Sequence, residues 1–155
     1  MGVQRALAVI DGLKTVFAAA LAADGVVVSK GWEILPAGDK EHVFVGGDGG
    51  ADVGNEDLVR SEIEWPGLSG TSRTEDGSVD CAASVWTGDQ DAVDVTIARA
   101  YEIVGLCEDA LRVNPALFED IALQAKIVET RLRVAQDGEG VAAIVPFVVA
   151  YMSSV

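Results

Sequence analysis

The stretch from Lys126 to Ser153, KIVETRLRVAQDGEGVAAIVPFVVAYMS, constrains the fold most, because it reads as a long β-hairpin whose return strand is apolar throughout. In the outgoing arm Val128, Thr130, Leu132 and Val134 alternate with Glu129, Arg131 and Arg133, the period-two pattern of a half-buried strand. The run Asp137-Gly138-Glu139-Gly140 supplies residues that tolerate positive φ, so the chain can reverse within a few residues and pair with itself. The return arm, Val141 to Met152, carries no charge: Ala143, Val145, Phe147, Val149 and Tyr151 are as apolar as Ala142, Ile144, Val148 and Ala150. Both faces of such a strand need cover. The expectation is that a neighbouring subunit supplies the second layer, with Ile144, Val145, Phe147, Val149 and Tyr151 as interface candidates; a central strand sandwiched within one chain is the alternative. Pro146 cannot donate to a ladder, which places it at a bulge or with its missing donor facing off the sheet edge.

A chain of 155 residues suits one domain over 1–155 and buries roughly 70% of its unfolded surface, enough for a core without staples. Its two cysteines, Cys81 in an expected strand and Cys107 in an expected helix, have no metal-ligand spacing and read as buried free thiols of a reducing compartment. The formal charge is -14, and the segment from Glu33 to Asp91, with fourteen acids against three bases, carries -11 of it. That balance disfavours gripping phosphates, the step that drives nucleic-acid binding, and suits either a solvated acidic surface or a wall that DNA passes without sticking.

Read in order, the chain starts with Val3, Ala6, Leu7, Ile10, Leu13, Phe17 and Leu21 at helical spacing, interrupted for a signal peptide by Asp11 and Lys14. The expectation is a retained amphipathic helix ending at Asp24-Gly25, with no membrane span. One strand, or two short ones, is expected over Val26 to Val28 and on through Gly31 to Trp32, Ile34 and Leu35, with further strands at His42 to Val45 and at Ser61 to Trp65. Asp76-Gly77 reads as a hairpin turn between Thr71 to Glu75 and Ser78 to Thr87. Thr87 and Gln90 have capping-box spacing for a helix from Asp89 to Arg112, whose apolar stripe is Val93, Ile97, Ala100, Val104, Cys107 and Leu111. The fold class that results is α+β: a mainly antiparallel sheet, two amphipathic helices packed on one face, and the C-terminal β-hairpin.

Chemistry-bearing motifs are sparse. The run GGDGGADVGNED lies in an expected mobile acidic loop over residues 46–60, and its Asp48, Asp52 and Asp57 are weak metal candidates, because a hard cation wants several oxygens. The spacing fits neither an EF-hand nor a glycine-aspartate β-roll. As a polar loop, with Asn55 and Glu56 added, it is equally a candidate for docking a partner. His42, the only histidine, cannot build a multi-histidine site, and there is no nucleophile elbow, phosphate loop, zincin motif, Cys-x-x-Cys or dinucleotide fingerprint. No catalytic residue and no cofactor is expected.

The N-terminal amphipathic helix, the middle strands, the helix Asp89 to Arg112 and the closing hairpin KIVETRLRVAQDGEGVAAIVPFVVAYM together resemble the tail terminator proteins of long-tailed bacteriophages. The resemblance rests on size and element order and covers most of the chain. It implies a non-enzymatic virion protein that caps the tail tube as a ring, commonly a hexamer, with DNA passing through unbound. The implied partners are other copies of the chain, the tail tube protein and the neck or head-closure protein. The implied place is the head-tail junction of the virion, after assembly in the host cytoplasm. A different neck or head-closure protein, or a small calcium- or ligand-binding module, is the alternative.

Overall fold

A computed structural model describes residues 6–31, 41–47, 59–64, 74–117, 124–136 and 138–154. The N-terminal helix α1 (Ala6–Leu21) continues into one 3₁₀ turn, Ala22–Asp24, and Gly25 ends it in the left-handed region at φ 70°. The strands are β1 (Val27–Lys30), β2 (Glu41–Val45), β3 (Val59–Glu64) and β4 (Thr74–Thr87), followed by helix α2 (Val93–Val113). Then come β5 (Gln124–Thr130), β6 (Arg133–Gln136) and β7 (Val141–Ser154).

The sheet order is β1-β2-β4-β7-β5, with β3 also on β4 and β6 also on β7. Among the described residues only the β1–β2 pair is parallel; the other pairs are antiparallel. Strands β4 and β7 are paired in continuous register from Thr74↔Ser154 to Thr87↔Val141, and this ribbon is the spine of the molecule. On its upper part lie β3 and β5; on its lower part, β2 and β6. The fold is the α+β arrangement expected, mostly sheet, with both helices on one face and the closing hairpin in place.

Alternation along β4 and β7 decides which side the helices take. Val79, Cys81, Ala83 and Val85 of β4, with Val145, Phe147 and Val149 of β7, share one buried cluster with Val9, Leu13 and Phe17 of α1 and Ile103, Val104 and Cys107 of α2. Phe17 meets Phe147 edge to face, with ring centroids 6.1 Å apart, a favoured aromatic geometry. By length and a mean hydropathy of 1.7, Ala6–Asp24 is also long and apolar enough to cross a membrane. In the fold its apolar stripe is spent on this core, and Asp11 forms an ion pair of 2.7 Å with Lys30 of β1.

Several details differ from the expectation. Asp76-Gly77 is no turn: both residues lie inside β4 and pair with Glu62 and Ser61 on one side and with Met152 and Tyr151 on the other. The glycine is needed there for space. A Cβ at Gly77 would lie 2.5 Å from Cζ of Tyr151, whose ring crosses the gap the glycine leaves. Helix α2 starts at Val93 without a side-chain cap, because β4 runs on through Thr87 and takes that residue out of capping position. Asp89 instead closes a turn, its carboxylate accepting from the Asp91 N–H at 2.9 Å, while the Thr87 and Thr96 hydroxyls meet at 2.9 Å. The helix stripe also includes Thr96 and Ile103.

Pro146 sits on an internal strand, where prolines are uncommon. Its carbonyl accepts from the Arg131 N–H at 2.8 Å, so its missing donor faces Arg131 and not the sheet edge. The reciprocal bond cannot form, and the ladder is interrupted at residues 131–132, between β5 and β6. After an irregularity at Ile127/Glu129 the register runs on unchanged from Glu129↔Val148 to Gln136↔Val141, so β5 and β6 act as one edge strand.

Candidate interaction surface

The helix-free face of the sheet is defined by the residues that alternate with the core. Its central strands contribute His42 and Phe44 of β2, Asp76, Ser78, Asp80, Ala82, Ser84 and Trp86 of β4, and Ala142, Ile144, Pro146, Val148, Ala150 and Met152 of β7. Its middle is already buried within one chain: Ala82 is 0% exposed, Phe44 7% and Val148 9%. Its margins are open, with Trp86 and Met152 both exposed.

The expected interface set divides across these two faces. Val145, Phe147, Val149 and Tyr151 point to the helices and lie in the core of their own chain, so they are not available to a neighbour. The reason is the two-residue period of β7, which sends all the odd positions to α1 and α2. Only Ile144 of that set is on the other face, half-buried. Three of the large apolar side chains that meet solvent, Val128, Leu132 and Val134, lie along the β5–β6 edge; Leu7 of α1 and Val95, Tyr101 and Val113 of α2 are exposed as well.

The candidate loop residues Asp48, Asp52, Asn55, Glu56 and Asp57 lie outside the described residues. Both ends of the expected 46–60 loop are held: Gly46 and Gly47 donate to the Asp80 carbonyl at 2.9 and 2.7 Å, and Val59 and Arg60 belong to β3. Among the described residues, no group of three or more His, Cys, Asp or Glu side chains could hold a metal.

His42 is 8% exposed and stacks on Phe44 with centroids 5.6 Å apart and planes 7° from parallel. Its register partner on β4 is Ser84. Among the described residues, surface grooves elsewhere include one of about 710 Å³ beside β3 and β4, one of about 360 Å³ between the end of α2 and β5, and one of about 410 Å³ between α1 and α2. Neither His42 nor Ser84 lines any of the three. The first is the most polar, lined by Arg60, Ser61, Glu62, Asp76 and Ser78. There Glu62 and Asp76 are directly opposed across β3 and β4, both exposed, a like-charge pair that weakens an antiparallel ribbon.

Sequence reasoning missed two polar features. The first is this Glu62–Asp76 opposition, since the alternation of Glu62 with Ile63 shows a wet face but not which strand lies beside it. The second is Glu75, fully buried, whose carboxylate accepts from the Tyr151 hydroxyl at 3.5 Å. Burial, with the nearby Glu75 charge and hydrogen bond, pushes the Tyr151 phenol up to about 12. The ion-pair network of Arg99 is structural. Its Nε and guanidinium nitrogens reach Glu41 of β2 at 2.6 and 3.1 Å and Glu102 at 3.2 Å, which fastens α2 to the sheet. The paired Glu41 carboxylate raises the guanidinium pKa further.

No protein-family model matches the chain, and a search of curated proteins finds no significant match.

Proposed function

We propose that this protein is a non-enzymatic assembly component that caps the tail tube of a long-tailed bacteriophage as a ring and joins the tail to the head-neck complex. The observation that carries the reading is the β5–β6 edge, where Val128, Leu132 and Val134 are all at least 42% exposed beside Arg131 and Arg133. Apolar side chains in a row along a sheet edge mark association. Support also comes from the order of elements, which follows the resemblance noted in the sequence, and from the charge of -14, which favours passage of DNA over its retention.

The chemistry asked of such a protein is modest: it must bind copies of itself and two protein partners, and repel a phosphate backbone. The test is the native mass of the purified protein, alone and mixed with tail tubes, followed by imaging of the tube ends. A closed ring, or a monomer that becomes a ring at one tube end, is the expected result. A monomer indifferent to tubes overturns it.

A further inference from the structure

We propose that copies of this chain associate head to tail by continuing the β-sheet, the β3 edge of one copy adding to residues 131–136 of the next. Within the reading above, this edge pairing is the contact between neighbours in the ring. Three independent features of the two edges agree on it.

The first is the backbone. The Arg131 N–H bonds to the Pro146 carbonyl, so odd positions of this edge strand turn their backbone groups toward β7. Thr130, Leu132 and Val134 therefore turn theirs outward, since successive residues alternate. On the other side of the sheet, the Asp80 carbonyl accepts from Gly46 and Gly47, so even positions of β4 face β2 and β3. Through the pairs Arg60↔Ser78 and Glu62↔Asp76, the even positions of β3 are the ones closed against β4, leaving Val59, Ser61 and Ile63 with outward backbone groups. Among the described residues no strand lies outside either edge.

The second is direction and face. Three antiparallel steps separate β3 from β6, so β3 of one copy meets β6 of a similarly oriented neighbour antiparallel. The register that sets Glu62 opposite Arg133 also sets Ile63 opposite Leu132, Ser61 opposite Val134 and Arg60 opposite Ala135. Outward backbone groups then meet outward backbone groups. Glu62 and Arg133 share the helix-free face, and Ile63 and Leu132 share the helix side. The six residues of β3 span residues 131–136 from end to end.

The third is charge. The Glu62–Asp76 pair leaves the β3 edge net negative although Arg60 lies on the same face, and Arg131 and Arg133 outweigh Glu129 at the other edge. Arg133 already interacts within its own chain, yet a guanidinium has five donors and can bridge two acceptors. A neighbour's Arg133 next to Glu62 and Asp76 relieves their repulsion, and the exposed Leu132 and Val134 gain cover. Head-to-tail pairing fits better than a two-fold pairing of two β5–β6 edges centred on Arg131 or Leu132, which would set arginine against arginine.

The test is charge exchange. Glu62→Arg alone and Arg133→Glu alone should each weaken self-association by about tenfold or more in sedimentation at low salt, and the double variant should restore it within a few-fold. A 1:1 mixture of the two single variants should also associate, because their altered edges complement each other. Raising salt to ~0.5 M should weaken association of the unaltered chain. Glu62→Gln and Arg133→Gln serve if a reversal perturbs folding, which circular dichroism reports. Association of the single variants equal to that of the unaltered chain overturns the proposal, as does an unaltered chain that stays monomeric both in solution and on tubes. Rings on tubes that are indifferent to both reversals sink the edge pairing and leave the cap standing. Edge-dependent association in a protein that ignores tubes does the opposite.

Discussion

The two faces of β7 are nearly equal in sequence hydrophobicity and opposite in use. Toward the helices, Val145, Phe147 and Val149 are no more than 1% exposed and make the centre of the core. On the other side, Ile144 is half-buried, Val148 is buried and Met152 is 37% exposed. What separates the two sides is the partner: α1 and α2 carry continuous apolar stripes that fit only one face of a sheet. Apolarity of a strand therefore says that cover is required, and not whether the chain or a neighbour provides it.

The sharpest way to break this comparison is to shorten one side chain on each face. Phe147→Ala should cost about 3–5 kcal/mol in urea unfolding, since it removes a fully buried ring packed against Phe17. Ile144→Ala, half-buried on the other face, should cost less than half as much in the isolated chain. Equal costs would mean that the helix-free face is as much a core as the helix side. A smaller loss, about 1–3 kcal/mol by the usual cost of overpacking, is expected for Gly77→Ala, because the new Cβ meets the Tyr151 ring. In a Tyr151→Leu background the same substitution should be milder. If it is not, the glycine is required for its backbone and not for the ring.

Much of this was legible in the residues. The hairpin from Lys126 to Ser153 is legible in its alternating outgoing arm and glycine-rich turn, both local signals, but the half-burial that the alternation implies is absent: Val128, Thr130, Leu132 and Val134 are all exposed. The stripe of Val79, Cys81, Ala83 and Val85 was equally plain, because a period of two survives whatever lies beside it. What escaped depended on strand neighbours distant in sequence. Asp76-Gly77 has the chemistry of a turn, and only the Tyr151 ring, 74 positions beyond Gly77, explains a glycine in mid-strand. Thr87 and Gln90 have capping spacing, which the length of β4 overrode. The interface assigned to Phe147 and its neighbours failed for the same reason: the odd face of β7 could not be matched to α1 or α2 until the register was known.

The smallest effect concerns the end of the helix-side face, where Tyr151 and Glu75 introduce polarity into an otherwise apolar row. The folded phenol is held neutral up to about 12 by burial first and by the Glu75 charge and hydrogen bond after it, against about 10 in an unfolded chain. A raised pKa means that the unfolded state loses its proton first. The stabilisation is therefore whole below pH ~10 and disappears as pH rises toward ~12, a loss on the order of 2 kcal/mol. The buried thiols act in the same direction, with Cys107 pushed up to about 12 by burial, so alkaline destabilisation is shared among them. Tyr151→Phe isolates the phenol's part: its unfolding free energy should fall less steeply between pH 9 and 12 than that of the unaltered chain, with the thiol contribution left in place. If the two slopes coincide, the hydroxyl is solvated despite its position, and the row from Glu75 to Tyr151 belongs with the open margins of the sheet and not with its core.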